Sequence, residues 1–329
     1  MPATDTPLVS VVVSACGNTR KIRSLLDALA RQTLPATMFE TVVVDNDRPG
    51  PVRPIRDAVA GGTWPFTVRV LYEPTPGLSA GRNRGICAAR GQYVAITDPD
   101  ITPDPGWLQN LLDAIREENV FAVGGRTRVD YPGGQAVVLT KSLSECHGAV
   151  DWPGGREMAV WPYWVTGCNL LFDRQIALDI GLFRTDLGRR GRWMGDCEDL
   201  EFIDRARQAG HHTLIEPAAL VSHPVYRPET TLRYFLRQGA GHGVCVARMH
   251  LSVSVEPAAI QAGRAALHTA FINLAAGWTF LDRSRAVEGA RDLARIGAYH
   301  LERGRLRLRG RRPTALAQLP VKKETPSWT

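Results

Sequence analysis

Asp98 and Asp100, in the segment "GQYVAITDPDITPDPGWL" (residues 91–108), close an apolar run with a single proline between them. Alternate residues of an extended chain point the same way, and Pro99 drives Asp98 out of the helical region. Two carboxylates side by side in a low-dielectric cleft repel strongly unless something neutralises them. A hard divalent cation does so, and Mg²⁺ typically uses one or two carboxylates together with substrate phosphates. A surface turn is the plainer reading of Asp-x-Asp. Its place after a buried strand, beside other polar strand ends, favours a metal and a diphosphate here.

Such a pair needs a scaffold, and the first third of the chain supplies one. "LVSVVVS" (8–14), "FETVVVD" (39–45), "VRVLYEP" (68–74) and "YVAIT" (93–97) read as strands. Between them, "TRKIRSLLDALARQT" (19–33) carries Ile22, Leu25, Leu26 and Leu29 at helical spacing, and "SAGRNRGICAARG" (79–91) reads as a helix closing on a glycine. Continuous apolar strands alternating with helices predict an α/β fold, a mostly parallel sheet flanked by helices on both faces. Ligands of such sheets bind beyond the carboxyl ends of the strands. Ser14, Asp45 with Asn46, Glu73, and Asp98 with Asp100 are therefore expected on one rim.

The middle section mixes strands with short helices. "GDCEDLEFIDRARQAG" (195–210) reads as a helix with acids in its first turn, Leu200, Ile203 and Ala206 on one face, and Gly210 ending it. Beyond Tyr226 the pattern is helical and Arg-rich. The expected division is 1–120 as a first half, 121–225 as a second half, 226–312 as a helical C-terminal extension and 313–329 as a disordered tail.

Composition narrows the class. The 329 residues, 44% hydrophobic and 22% charged, suit a soluble globular protein. Six cysteines without a C-x-x-C pair argue against a structural zinc site and a disulfide framework, and fit a reducing cytosol. The N-terminus shows no signal-peptide pattern. The segment 266–281, interrupted by His268 and Asn273, is shorter than the roughly 20 apolar residues that span a bilayer. A net charge of +7 gathers in Arg303, Arg305, Arg307, Arg309, Arg311 and Arg312. That run reads as a solvated basic tail, or as a contact for anionic lipid at the inner face of the membrane. It lacks the aromatic interleaving of a nucleic-acid site.

The order of segments is itself informative. The chain resembles an inverting family 2 glycosyltransferase of GT-A fold, of bacterial type. "VSVVVSACGN" resembles the family's opening strand, "VVVDND" its uracil-binding strand end, and "GLSAGRNRGICAARGQYVAITDPD" its run into D-x-D. "GCNLLFDRQIALDIGLF", "GDCEDLEFIDRARQAG" and "IEPAALVSHP" resemble its acceptor, base-bearing and closing segments. Ordered matches over residues 8–225 are more specific than any one motif.

The resemblance implies transfer of a sugar from a nucleoside-diphosphate donor, UDP by default with dTDP and GDP open, to a hydroxyl. Asp45 and Asn46 would hold the base with Ser14 nearby, Arg82 would meet the diphosphate or Asp98, and Asp98 would contact the ribose. Asp100, with Asp98 and His223, would hold Mg²⁺ or Mn²⁺. The base that inversion requires would be Asp199, with Glu198 positioning the acceptor or taking over as base. Ordinary structural roles are open for several of these residues: turn residues at 45–46, a surface ion pair at Arg82, helix-dipole acids at 198–199.

Departures matter as well. The aromatic the family often carries after its first strand is missing from Ser14-Ala15-Cys16-Gly17, which leaves the nucleotide open. The processive signature Q-x-x-R-W is absent, so single transfer to a discrete acceptor (a glycan, a lipid-linked sugar or a secondary metabolite) is favoured. Trp152, Trp161, Tyr163 and Trp164 are candidates to line its pocket or to pack the core. A sugar-1-phosphate nucleotidyltransferase would carry a basic Gly-rich loop, of which "ACGNTRK" (15–21) is a faint echo. A dehydrogenase would carry G-x-G-x-x-G, which is missing. A non-catalytic sugar-nucleotide-binding protein would be expected to lose one of the acidic pairs.

Overall fold

Burial on both faces explains the continuous apolar strands. Every residue of β1 (Val9–Ala15) and β2 (Phe39–Asp45) is buried. Neighbouring valines divide across the sheet: Val9, Val11, Val13 and Val43 enter one core cluster, and Val12, Val42 and Val44 the other. That division is the period of two expected of a strand.

The computed structural model describes residues 6–17, 19–47, 54–117, 119–152, 154–159, 165–250, 269–275 and 282–308. After β1 and β2 with α1 (Thr19–Leu29) between them come α2 (Pro54–Ala60), β3 (Thr67–Tyr72), α3 (Leu78–Ala88), β4 (Tyr93–Thr97), β5 (Thr102–Pro103) and α4 (Trp107–Ile115). The chain continues with β6 (Val120–Asp130), α5 (Lys141–Glu145), β7 (Glu157–Met158), β8 (Asn169–Asp173) and α6 (Arg174–Asp179). A small hairpin of β9 (Arg189–Arg190) and β10 (Trp193–Met194) precedes α7 (Glu198–Gln208) and β11 (His212–Pro224). Two long helices follow, α8 (Leu232–His250) and α9 (Arg283–Leu308). One face of the sheet is covered by α1 and α4, through Ile22, Leu25, Leu26 and Leu29 and through Trp107, Leu111 and Leu112. The other face meets α3, α6 and α7 through Ile86, Ala177, Phe202 and Ala206.

Strand order is β3-β2-β1-β4-β8-β6-β11-β5, with β7 also paired to β11. The first four strands are parallel, and β6 is parallel to β11. Between these groups β8 runs antiparallel to both β4 and β6. Two reversals restore direction, so β6 and β11 point the same way as β1, β2 and β4. Their carboxyl ends share one rim. The parallel character expected of the sheet thus belongs to its two flanks, and β8, β5 and β7 supply antiparallel pairs.

Local boundaries differ from the sequence reading in two places. Helix α3 stops at Ala88 with an extended Ala89 and no glycine cap. Gly91 serves a close approach instead, since a Cβ there would lie 2.7 Å from the Ser10 nitrogen. Helix α7 begins at Glu198, and its buried face carries Glu198, Phe202, Arg205 and Ala206; Leu200 and Ile203 are only half-buried.

Small residues seat the C-terminal helices. A Cβ on Gly239 would come within 2.5 Å of the Arg291 carbonyl oxygen, and one on Gly243 would overlap that of Arg295. Gly241 faces the Met194 carbonyl in the same close manner. Helix α8 is therefore wedged between α9 and the β9–β10 hairpin. Among the described residues no helix is long and apolar enough to cross a membrane. Trp161, Tyr163 and Trp164, most of 266–281 and the 313–329 tail lie outside the described residues.

Candidate active site

The shared rim opens into a cleft of about 1000 Å³. Ser14, Asn46, Arg82, Asp98, Asp100, Glu198, Asp199 and His223 all line it. These are eight of the nine residues given donor, metal or base roles from the sequence, drawn from β1, the ends of β2 and β4, and α3, α7 and β11; Glu73, also expected on the rim, is not among the lining residues. Asp45 is not among the lining residues: it is 3% exposed, and its Oδ1 accepts the Asp47 N–H at 3.1 Å. Asn46 is held by three bonds, donating to the Glu73 and Thr75 carbonyls and accepting from the Gly77 N–H. Trp152 is 6% exposed and packs in the core cluster under α7.

Arg82 organises the acids. Its guanidinium, 2% exposed, donates to Glu198 Oε1 at 2.8 Å, to Asp98 Oδ1 at 3.1 Å and to the Gly167 carbonyl at 2.9 Å. The buried fork is no surface ion pair; it meets Asp98, one of the two partners expected of it, and ties the end of β4 to the start of α7. Gly167 has to be glycine, because a Cβ there would lie 2.6 Å from Arg82 Nη1. The same residue's N–H donates to Asp199 Oδ2 at 2.7 Å, and the Leu200 N–H donates to Oδ1 at 2.8 Å.

These acids have unusual proton affinities. Burial first, and then the neighbouring Asp199 charge, raise the Glu198 carboxyl above the usual range. Burial also raises Asp199, against the pull of Arg82 and its two N–H donors. The two titrate as a pair rather than singly.

Across the cleft, burial works to raise Asp100, but the His223 ring and the Lys21 ammonium outweigh it and hold the carboxyl low. Lys21 Nζ donates to Asp100 Oδ2 at 2.8 Å, and His223 Nε2 lies 3.9 Å from Oδ1. His223 Nδ1 lies 2.8 Å from the His147 carbonyl oxygen, which can only accept, so Nδ1 carries a proton. With Nδ1 so committed, Nε2 is the nitrogen turned toward Asp100. A carbonyl holding one ring nitrogen while the other faces outward is the support that metal-ligating histidines receive. Asp100 and His223 face each other as a cation's ligands would, whereas Asp98 is turned to Arg82. Lys21 was missed by the sequence reading as a partner of Asp100, since it surfaced only as the basic residue of the "ACGNTRK" echo. Arg189, Arg291 and Arg295, also missed, reach the same cleft from β9 and α9.

Comparison with known proteins bears on the fold and the family. Residues 10–164 match the model of Glycosyl transferase family 2. Glycosyltransferase AglE of Haloferax volcanii is 27% identical over 237 residues, covering 71% of this chain and 73% of that protein. A pre-mycofactocin glycosyltransferase of Mycobacterium tuberculosis is 28% identical over 240 residues, 71% of this chain but only 46% of that protein. Succinoglycan biosynthesis protein ExoM of Rhizobium meliloti is 25% identical over 236 residues, 68% of this chain and 70% of its own. Among solved structures, the mannosyltransferase PcManGT of Pyrobaculum calidifontis, in complex with GDP-Man and Mn²⁺, superposes with a TM-score of 0.56 at 18% identity. That match covers 93% of this chain and 75% of the other. GalNAc-T7 with UDP, GalNAc and Mn²⁺ gives 0.52 at 15% identity, covering 75% and 50%. The fold is of the GT-A kind. The family match over residues 10–164, just under half of the chain, and the glycosyltransferase relatives support a family 2 glycosyltransferase.

Proposed function

We propose that the cleft moves a sugar, with inversion, from a nucleoside diphosphate, UDP favoured, to a hydroxyl of a discrete acceptor. The observation that carries this reading is the gathering of two acidic sets in one cleft, bridged by Arg82: Asp98 and Asp100 at the end of β4, Glu198 and Asp199 at the start of α7. Asp98, Asp100 and His223 would hold Mg²⁺ or Mn²⁺. The ion supplies Lewis-acid stabilisation of the departing diphosphate. Ser14 and Asn46 border the expected nucleotide end, and the buried Asp45 fixes the turn after β2 through its bond to the Asp47 N–H.

Asp199 is the stronger candidate for the base. It reaches the cleft, and the N–H groups of Gly167 and Leu200 orient it while leaving each oxygen a further lone pair. Glu198 instead spends one oxygen on Arg82 and acts as a positioning group. The acceptor O–H proton passes to Asp199 as the acceptor oxygen bonds the anomeric carbon, whose bond to the diphosphate oxygen breaks on the opposite face. In this division residues 1–120 serve the donor, 121–225 the acceptor, and the C-terminal helices close the acceptor side with an Arg-rich surface toward anionic lipid.

The test is thermal stabilisation and nucleotide release with a panel of sugar nucleotides, with Mn²⁺ or with chelator. UDP with Mn²⁺ should raise the melting temperature, and Asp100→Ala should abolish the rise. Asp199→Asn should keep donor binding and lose transfer by roughly 10²–10⁴-fold. Full activity in Asp199→Asn would move the role to Glu198.

A further inference from the structure

Beside the acids assigned above lies a second group with a different chemistry. Cys197, the residue before α7, adopts φ 66°, a left-handed conformation uncommon outside glycine. Its Sγ lies 3.0 Å from Asp196 Oδ1. From the middle of α8, His242 Nδ1 approaches to 3.5 Å from that sulfur and to 3.0 Å from each Asp196 oxygen. All the ligand atoms fall within 4.8 Å of one another.

We propose that Asp196, Cys197 and His242 form a second metal site, taking a borderline ion of the zinc type and stapling α8 to the start of α7. One sulfur, one imidazole nitrogen and one carboxylate oxygen are the ligand types such an ion selects, whereas magnesium and manganese prefer oxygen. Bonds of about 2.0–2.3 Å imply tetrahedral edges of roughly 3.3–3.6 Å, and the three separations lie within about 0.5 Å of that range. The fourth position faces the cleft, which Asp196 and His242 line and through which an ion can enter.

The surroundings suit a metal. Cys197 is 2% exposed, packed with Leu187 and Cys245, so its sulfur is shielded from water. Gln238, one turn before His242, donates to Asp196 Oδ2 at 3.2 Å, an outer-shell bond that orients the carboxylate. Without an ion the trio is held by protons on the sulfur and on Nδ1, both directed at Asp196, which can only accept. The ion takes their place: the thiol releases its proton, and a neutral imidazole moves its own to Nε2. This site shares no residue with the Asp98, Asp100 and His223 set, so either can fail without the other.

The experiment is titration of the full chain, stripped with chelator, with Zn²⁺ alone and with Co²⁺ alone, in the absence of nucleotide. One ion per chain should bind in the wild type and equally in Asp100→Ala. Gln238→Ala should weaken it by roughly 10-fold, and Cys197→Ser and His242→Gln by more than the roughly 100-fold upper limit of outer-shell changes. Bound Co²⁺ should show a thiolate charge-transfer band that Cys197→Ser abolishes, with circular dichroism confirming that the variant is folded. Unchanged affinity in both ligand variants, or a cobalt spectrum with no thiolate band, overturns the proposal. Loss of the ion in Asp100→Ala alone assigns it to the other site and overturns it equally.

Discussion

Arg82 sets what the acids around it can do, and two predictions follow from its bonds. In Arg82→Met both Glu198 and Asp98 lose their guanidinium, and Glu198 is 5% exposed. Removing one partner of a buried pair costs about 3–5 kcal/mol, and the partial exposure of Asp98 places the expected loss at the lower end. Urea unfolding should show a fall of that order. The second prediction concerns protons. A base works only when ionised, so whatever favours its charged form lowers the pH at which activity appears. Glu198→Gln removes a negative neighbour from Asp199 and leaves Arg82 charged beside it, and both changes favour the Asp199 carboxylate. The acid limb of kcat/KM should therefore move to lower pH; a limb that stays or moves up belongs to another group. The positions of the acids, at a strand end and in a first helical turn, were legible in the sequence because both are read from local pattern. The meeting of Arg82 with Asp98, 16 residues away, was among the expectations; its bond to Glu198, 116 residues away, was not, because only the fold shows that both acids converge on it. Lys21 escaped for the same reason, 79 residues from Asp100.

At the scale of elements, legibility followed burial. Strands β1, β2 and β4 were read to within a residue because two-sided burial leaves uninterrupted β-branched runs. The antiparallel course of β8 was not, since nothing in "NLLFD" records which way its neighbours run. The end of α3 was misread because Gly91 is required by contact with β1 rather than by a helix cap. The glycines of α8 make the same point in reverse. By helix propensity alone, replacing a helical glycine with alanine stabilises by up to about 1 kcal/mol. At Gly297 of α9 a Cβ would meet nothing within 4 Å, and that gain should appear in Gly297→Ala. At Gly243 the Cβ would overlap the Arg295 carbonyl, and overpacking there costs about 1–3 kcal/mol, more than the propensity gain. Gly243→Ala should thus unfold at lower urea, and by displacing α9 it should weaken acceptor use more than donor binding. Equal stabilisation in both variants would show that α8 and α9 are not in the close contact described.

For the whole molecule, the question is what the excess charge is for. The net +7 is not spread evenly. Helix α9 carries Arg303, Arg305 and Arg307 within its last turns, beside Leu301 and Leu308, which are 78% and 91% exposed. Arg305 is already committed to Glu302, at 2.6 Å. Arg303 donates to the neutral Tyr299 hydroxyl at 3.0 Å, and with the exposed Arg307 it is better placed to answer an external negative charge. Two leucines seven residues apart lie on one face of a helix, so apolar and basic groups occur together at the same end. A lipid surface bearing anionic headgroups satisfies both, whereas a soluble anion satisfies only the arginines. Each basic residue near such a surface contributes about 1 kcal/mol, so Arg303→Ala with Arg307→Ala should lower partitioning by roughly 30-fold. Sedimentation with phosphatidylserine-containing vesicles at low salt should carry the wild-type chain down, and neutral vesicles should not. Because the attraction is screened over about 10 Å at 0.1 M ionic strength, added salt should release most of it, leaving the smaller share held by Leu301 and Leu308. Binding that ignores salt, or that neutral vesicles support equally, would place the contact on the leucines alone and leave the arginines to the solvent.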